Sequence, residues 1–333
     1  MKSAFEKLKL HPAARQAAAA CVLGGAGLAP ASAAVVNLPQ RVTAAGIKWS
    51  SARNNTAVVA TAAGGVQSNA YGISEAFIVD GRNDAFDGAA GIIVNGTAFN
   101  QPGGQVDRST TAAGTFITTI TPQTIGGINS RLDYFFSATS PIVRAFGSFT
   151  NTTGGTLPLS VAFGGNLGSD SNTTIAASSS GDTTLQASLD RWLISWDNGV
   201  LNDVFQTWAF FGPGATAPTY GRWGVAGSVT GYIDRVGETW DLSLAAGQTA
   251  NLMWFIQLNN SLSAAQTGTS TFNNISSLQA AGLLSGLSAG DLANTANWVA
   301  TTSVPEPASL ALFGIGGLGA FAARRRRGEN KQK

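Results

Sequence analysis

The sequence predicts an all-β fold: a β-sandwich, jelly-roll-like in type, with one or two short helices near its C-terminal end. Three observations predict it. Only 11% of the 333 residues are charged, which leaves little Glu, Lys or Arg to cover exposed helix faces. Short apolar or alternating runs recur along the chain, separated by Gly, Asn, Asp, Ser and Thr. Eight tryptophans and seventeen phenylalanines supply large apolar surfaces, which argues for a packed core rather than disorder.

The strands read in order. Ala57–Thr61, Glu75–Val79 and Gly91–Val94 are β-capable runs, and Asn95-Gly96 is a hairpin turn before Thr97-Ala98-Phe99. Thr115–Thr121, Arg131–Ser137 and Ile142–Thr150 follow; the turn Asn151–Gly155 then leads into Leu157–Phe163. Trp192, Ile194 and Trp196 alternate with Leu193 and Ser195, and Asp197-Asn198-Gly199 turns the chain back. Thr249–Leu258 is a long apolar run suited to the centre of a sheet. After it the period changes. Ile275, Leu278, Leu283 and Leu284 have near-helical spacing, ended by Gly286. Ser288-Ala289-Gly290-Asp291 has the form of a capping box for a helix reaching about Trp298. No internal repeat or linker divides residues 34–300, which predicts one domain.

The formal net charge of +2 hides an uneven distribution. Between Ala34 and Ser303 there are ten Arg and Lys against fifteen Asp and Glu, a net of −5. An acidic body without a basic stripe does not follow a phosphate backbone, so nucleic acid is excluded as a partner. The only cysteine is Cys21 and the only histidine is His11. If the first 33 residues are removed, the remainder has no disulfide, no thiolate nucleophile, no zinc site built on His or Cys, and no His-dependent triad.

Both ends carry export chemistry. Lys2, Lys7, Lys9 and Arg15 precede an apolar stretch from Ala17 to Ala29, and Ala31 and Ala33 form an A-x-A pair. This is the layout of a secretory signal peptide over residues 1–33, read by the secretion translocon and cut by signal peptidase after Ala33. At the other end, residues 301–307 form a linker containing Val304-Pro305-Glu306-Pro307. The two prolines hold an extended, accessible backbone. Residues 308–323 carry no charge and predict a C-terminal hydrophobic helix that enters the bilayer as a transmembrane segment, though it is shorter than a full span of ~20 residues. Arg324, Arg325, Arg326 and Arg327 then stop transfer and keep residues 324–333 on the cytoplasmic side.

This tail resembles the PEP-CTERM sorting signal over Val304–Arg327. The resemblance implies a membrane protease of exosortase type as partner, transient anchoring in the inner membrane, and delivery to the cell surface or extracellular matrix of a Gram-negative bacterium. The extra Gly328–Lys333 departs from the pattern. The expected role is non-enzymatic and structural, in biofilm. The alternatives are a lectin-like module that binds exopolysaccharide and a carboxylate-dependent polysaccharide hydrolase.

Each alternative has candidate residues. Asp80, Asn83, Asp84 and Asp87 lie in one loop and could supply several of the six to eight oxygens that calcium takes, although the spacing is not that of an EF-hand. Asp, Asn and Gly are equally the residues of a polar turn, and no other cofactor is expected. Trp192, Trp196, Trp208, Trp223, Trp240 and Trp254 could stack on sugar rings or simply fill the core. Asp190, Asp197, Asp203 and Asp234 are available for carboxylate-pair chemistry, but no spacing singles out a pair.

Overall fold

A computed structural model describes residues 33–299, apart from 61–65, 80, 81, 83, 169–172, 198–202 and 225–234. The body is built on three antiparallel sheets. The first has ten strands. It begins at β1 (Ala34–Asn37) and continues through β8 (Gln105–Thr110), β9 (Gly114–Thr119), β11 (Ile128–Ser137) and β12 (Ile142–Asn151). It then runs through β19 (Thr249–Asn259), β16 (Phe205–Ala209) and β15 (Trp192–Asp197) to β14 (Thr173–Ser178), with β10 (Gln123–Ile125) paired to β11. The second sheet runs β17 (Tyr220–Trp223), β18 (Arg235–Leu244), β13 (Leu157–Asn166), β6 (Gly91–Val94) and β7 (Thr97–Ala98). The third joins β2 (Gln40–Ala44), β3 (Ile47–Ala60) and β4 (Val66–Ile73), with β5 (Ala76–Ile78) on β3.

The first two sheets face each other through aromatic rings. Register places Val161 opposite Trp240 and Phe163 opposite Glu238, so these residues share one face of the second sheet. Phe163 stacks on Trp254 of β19 with centroids 4.4 Å apart and planes 1° from parallel. Trp240 meets Trp254 at 5.6 Å, and Trp208 of β16 meets Phe163 at 6.2 Å. That face therefore looks onto the first sheet. The opposite face carries small residues, with Ala162 and Ile93 against Ala57, Val59 and Ala70 of the third sheet. Close approach is essential there: a Cβ on Gly72 or Gly91 would lie 2.4 or 2.5 Å from the Ala57 Cβ. The hairpin between β6 and β7 turns at Asn95 and Gly96, both at positive φ, as the Asn-Gly dipeptide predicts.

The outer face of the first sheet is covered by helices α1 (Leu262–Gly268), α2 (Ile275–Ala280) and α3 (Ala289–Ala293). Phe272, Leu278, Leu283, Leu284 and Trp298 pack there on Phe135, Phe146, Met253 and Phe255. Arg144 is buried beneath them, its guanidinium 5.1 Å from the centre of the Phe135 ring. Its Nη1 donates to the carbonyls of Leu283 (2.6 Å) and Ser285 (3.0 Å). Burial lowers its pKa to about 10. The segment closes on two side chains. Asn297 donates to the carbonyls of Phe210 and Met253 and accepts from the Met253 N–H, while Trp298 Nε1 donates to the Met253 carbonyl at 2.7 Å.

The all-β expectation holds, and the helical region is where it needs correction. Ser288 and Asp291 do form a capping box, but α3 ends at Ala293. The helix expected to run to Gly286 stops at Ala280, because Gly282 at φ 72° breaks the helical path first. Helix α1, capped by the Ser261 side chain, was not expected from spacing alone. The hydrophobic segment 308–323 lies outside the described residues, among which no helix is long and apolar enough to cross a membrane.

Because Trp298 is fully buried and donates a hydrogen bond, Trp298→Ala should lower the unfolding free energy by about 3–5 kcal/mol. Urea denaturation checks this through a lower midpoint at an unchanged slope.

Candidate functional site

Five acidic residues of the body, Glu75, Asp84, Asp87, Asp197 and Asp203, form one group. Glu75 immediately precedes β5, and Asp84 and Asp87 lie on the chain between β5 and β6. One carboxylate oxygen of each comes within 4.8 Å of the others. Glu75 Oε1 accepts from its neighbour's N–H at Ala76 (2.6 Å) and from Phe86 N–H (3.0 Å). Glu75 thus clasps the loop that carries the two aspartates. Its burial, and then the charges of Asp84 and Asp87, hold its carboxyl up at about 7 against the two backbone bonds that lower it. Asp84 itself sits at φ 65°.

A carboxylate pair, Asp197 and Asp203, adjoins this trio. Asp203 Oδ2 accepts from the Asp197 N–H at 2.9 Å, tying β15 to the start of β16. Burial first, then the charges of Asp197 and Asp84, push Asp203 up to about 6. Asp84 therefore acts on both Glu75 and Asp203 and links the two groups into one acidic rim. Arg82 spans the rim by donating from Nη1 to the Asp203 carbonyl at 2.7 Å.

Of the expected calcium ligands, Asp84 and Asp87 are brought together, while Asp80 and Asn83 lie outside the described residues. Glu75, ten residues or so upstream, joins them; its signal in the sequence was only its place at the end of a strand. Three carboxylate oxygens are fewer than the six to eight that calcium takes. Of the expected catalytic carboxylates, Asp197 and Asp203 are adjacent, and Asp234 lies outside the described residues. Asp190 stands at the far end of β15, fully buried. It accepts from Ser180 N–H (3.1 Å) and Gln186 N–H (2.7 Å).

The tryptophans divide. Trp208, Trp240 and Trp254 are fully buried core residues, and Trp192, Trp196 and Trp223 are half-buried. Trp196 stacks on Phe205 at 5.0 Å and 14°. The exposed large hydrophobic residues among those described are Val35, Val79, Ile120, Leu189 and Val299, all aliphatic.

At the ends, Ala31 lies outside the described residues, and Ala33 is exposed directly before β1. Val304–Pro307 and Arg324–Arg327 also lie outside them. The last buried anchor, Trp298, stands five residues before the matched sorting segment, whose first residue is Ser303.

The body is a β-sandwich with an acidic rim, and its C-terminal segment belongs to a recognised class. Residues 303–327 match the PEP-CTERM protein-sorting motif, so the chain carries a signal for processing by exosortase, a membrane protease, and for sorting to the cell surface. No curated protein sequence matches the chain. Among solved structures it is similar to a galactose mutarotase-like protein of Lactobacillus casei, at TM-score 0.41 and 10% identity, covering 67% of this chain and 100% of that one. It is also similar to a TPR-domain containing protein of Parabacteroides distasonis, at TM-score 0.41 and 9% identity, covering 66% of this chain and 47% of that one. The chain thus spans less than half the length of the latter.

The Glu75 carboxyl gives a pH signature. Its folded pKa of about 7 lies above the ordinary 4.5, so its contribution to stability is complete below about pH 4.5 and is lost as pH rises through 7. Glu75→Gln keeps the acceptor oxygen and removes the ionisation. Relative to the parent, this variant should gain stability between about pH 4.5 and 8, as read by urea denaturation across that range.

Proposed function

We propose that the protein is exported by its N-terminal signal peptide, held in the inner membrane of a Gram-negative bacterium by residues 308–323, and processed by exosortase at Val304–Pro307. It then serves at the cell surface or in the extracellular matrix as a structural, non-enzymatic component of biofilm. The observation that carries this reading is the PEP-CTERM match over residues 303–327. The body supports the structural role. A chain with 11% charged residues, whose exposed large hydrophobic residues among those described are all aliphatic, offers few charged or fully exposed aromatic groups for recognising a specific ligand.

A second reading, binding of exopolysaccharide, is favoured by one feature. Trp196 and Phe205 form a half-buried stacked pair, 5.0 Å apart and 14° from parallel. An aromatic face is what the apolar face of a sugar ring packs on.

Intact-mass and terminal-peptide analysis of protein recovered from the envelope and medium of its native host tests the first reading. The expected mature chain starts near Ala34 and lacks everything beyond Pro307. Glu306→Ala together with Pro305→Ala should leave the tail in place and keep the protein in the inner membrane. A wild-type chain that retains Arg324–Arg327 and occurs only in the inner membrane would contradict the reading.

A further inference from the structure

Among the described residues, Glu238 is the one acid placed inside the core and left without a hydrogen bond. It lies on β18, fully buried, on the face that looks onto the first sheet, and neither carboxylate oxygen has a partner. Its register neighbours among the described residues carry no charge. On β13 its neighbour in register is Phe163, and on β17 it is Gly221. The first sheet presents Trp208 and Trp254, which both pack on Phe163 and whose indole N–H groups are likewise unpartnered. Tyr220 and Arg222 flank Gly221, and Arg235 and Asp241 lie at odd positions on β18. All four are an odd number of residues out of step with Glu238, and strand alternation turns them to the other face. The ionisable group whose charge acts on Glu238 is Asp190.

Asp190 belongs to loop 179–191, which joins β14 to β15 and reaches across to the edge of the second sheet. Contact is made at the level of Glu238, since a Cβ on Gly221 would lie 2.9 Å from the Ala187 Cβ. Asp190 shapes the loop by accepting from Ser180 and Gln186 N–H, while its own N–H and that of Leu189 donate to the Gln186 carbonyl. Leu185 packs on the core from the same loop. Beyond Asp190 the remaining charges of the loop are Asp182, at its exposed tip, and Arg191, half-buried. One segment therefore covers the side of the sandwich and places a carboxylate next to a buried carboxyl.

We propose that Glu238 and Asp190 form a charge-sensitive latch: loop 179–191 stays closed over the side of the sandwich while the Glu238 carboxyl keeps its proton, and lifts when that proton is lost. Two physical effects drive it. An ionised carboxylate cannot remain in a layer of Phe and Trp rings without a partner, and it repels the Asp190 charge that holds the loop in shape. Burial first, and Asp190 second, raise the Glu238 carboxyl well above its ordinary value and so favour its protonated form in the closed state. Lifting the loop lets water reach Glu238 from the side on which Ala187 meets Gly221. The loop is the element that gives way, because its ties are a few hydrogen bonds whereas β18 and β13 share a ten-residue ladder.

Hydrogen exchange measured by mass spectrometry on the purified protein, corrected for intrinsic rates, tests the latch as pH is raised, with infrared spectroscopy following the Glu238 carbonyl band in parallel. In the parent, protection of the amides in 180–190 should fall by at least about tenfold, with roughly a tenfold loss for each pH unit beyond the Glu238 titration, while β12 and β19 keep theirs. Glu238→Gln should show no such fall, and Asp190→Asn should leave the loop poorly protected at every pH. A parent loop still protected once the Glu238 carbonyl band is gone, an equal fall in Glu238→Gln, or a simultaneous loss in β19 would each overturn the proposal. Should Glu238→Gln not fold, infrared spectroscopy of the parent decides. The carbonyl band of the buried protonated acid must vanish over the pH range in which the loop loses protection, and loop opening with that band intact overturns the latch.

Discussion

The stack of Phe163 on Trp254 fixes how the two large sheets meet, and most of the fold depends on it. With planes 1° from parallel and centroids 4.4 Å apart, the pair allows one spacing and one alignment of β13 against β19. Trp240 and Trp208 close around it from β18 and β16. Each such ring removes enough apolar surface from water to contribute about 1.5–3 kcal/mol, and the contacts are long-range in sequence. A chain without disulfides in its body thus holds nineteen strands together through a central aromatic layer and the ladders on either side of it. On the far face of the second sheet, Gly72 and Gly91 allow the third sheet to approach closely. On the far face of the first, Arg144, Asn297 and Trp298 fasten the helical cover.

The strands most legible in the sequence were those whose side chains alternate or are apolar throughout. Gly91–Val94 is read to the residue, and Thr249–Leu258 falls one residue short of β19. Strand β8, QVDRST, and strand β18, RVGETWDLSL, were not legible, because polar residues interrupt the pattern that defines a buried strand. In β18 the interruption is Glu238, an acid at an inward position, where local pattern gives the wrong face and only cross-strand register reveals the placement. The acidic rim was half legible. Asp84 and Asp87 stand together in sequence, but Asp197 and Asp203 reach them only where the chain after β5 meets β15 and β16, through Arg82 on the Asp203 carbonyl and Gln206 on the Ala85 carbonyl, and Glu75 only through the fold of its own loop. Composition cannot separate core tryptophans from surface ones, so burial of Trp208, Trp240 and Trp254 required the sheet-on-sheet contact.

Address and body are separate pieces of chemistry. The described fold closes at Asn297 and Trp298, and the segment that matches the sorting motif begins at residue 303. None of the sandwich's buried groups, its rim carboxylates or its aromatic layer is needed for a prolyl-flanked acid, an apolar run and an arginine cluster to be recognised at a membrane. The fold class carries no activity with it, and the tail carries a destination without a ligand.

That separation can be tested directly by moving the tail. Residues 300–333 would be fused behind an exported reporter of unrelated fold, and the body ending at Val299 would be expressed without them, both in a host that has the exosortase. The account predicts that the reporter loses its tail and reaches the surface, while the truncated body is exported but not sorted. A reporter left unprocessed in the inner membrane, with sorting restored only when residues 34–299 are present, would contradict it and place part of the address in the fold.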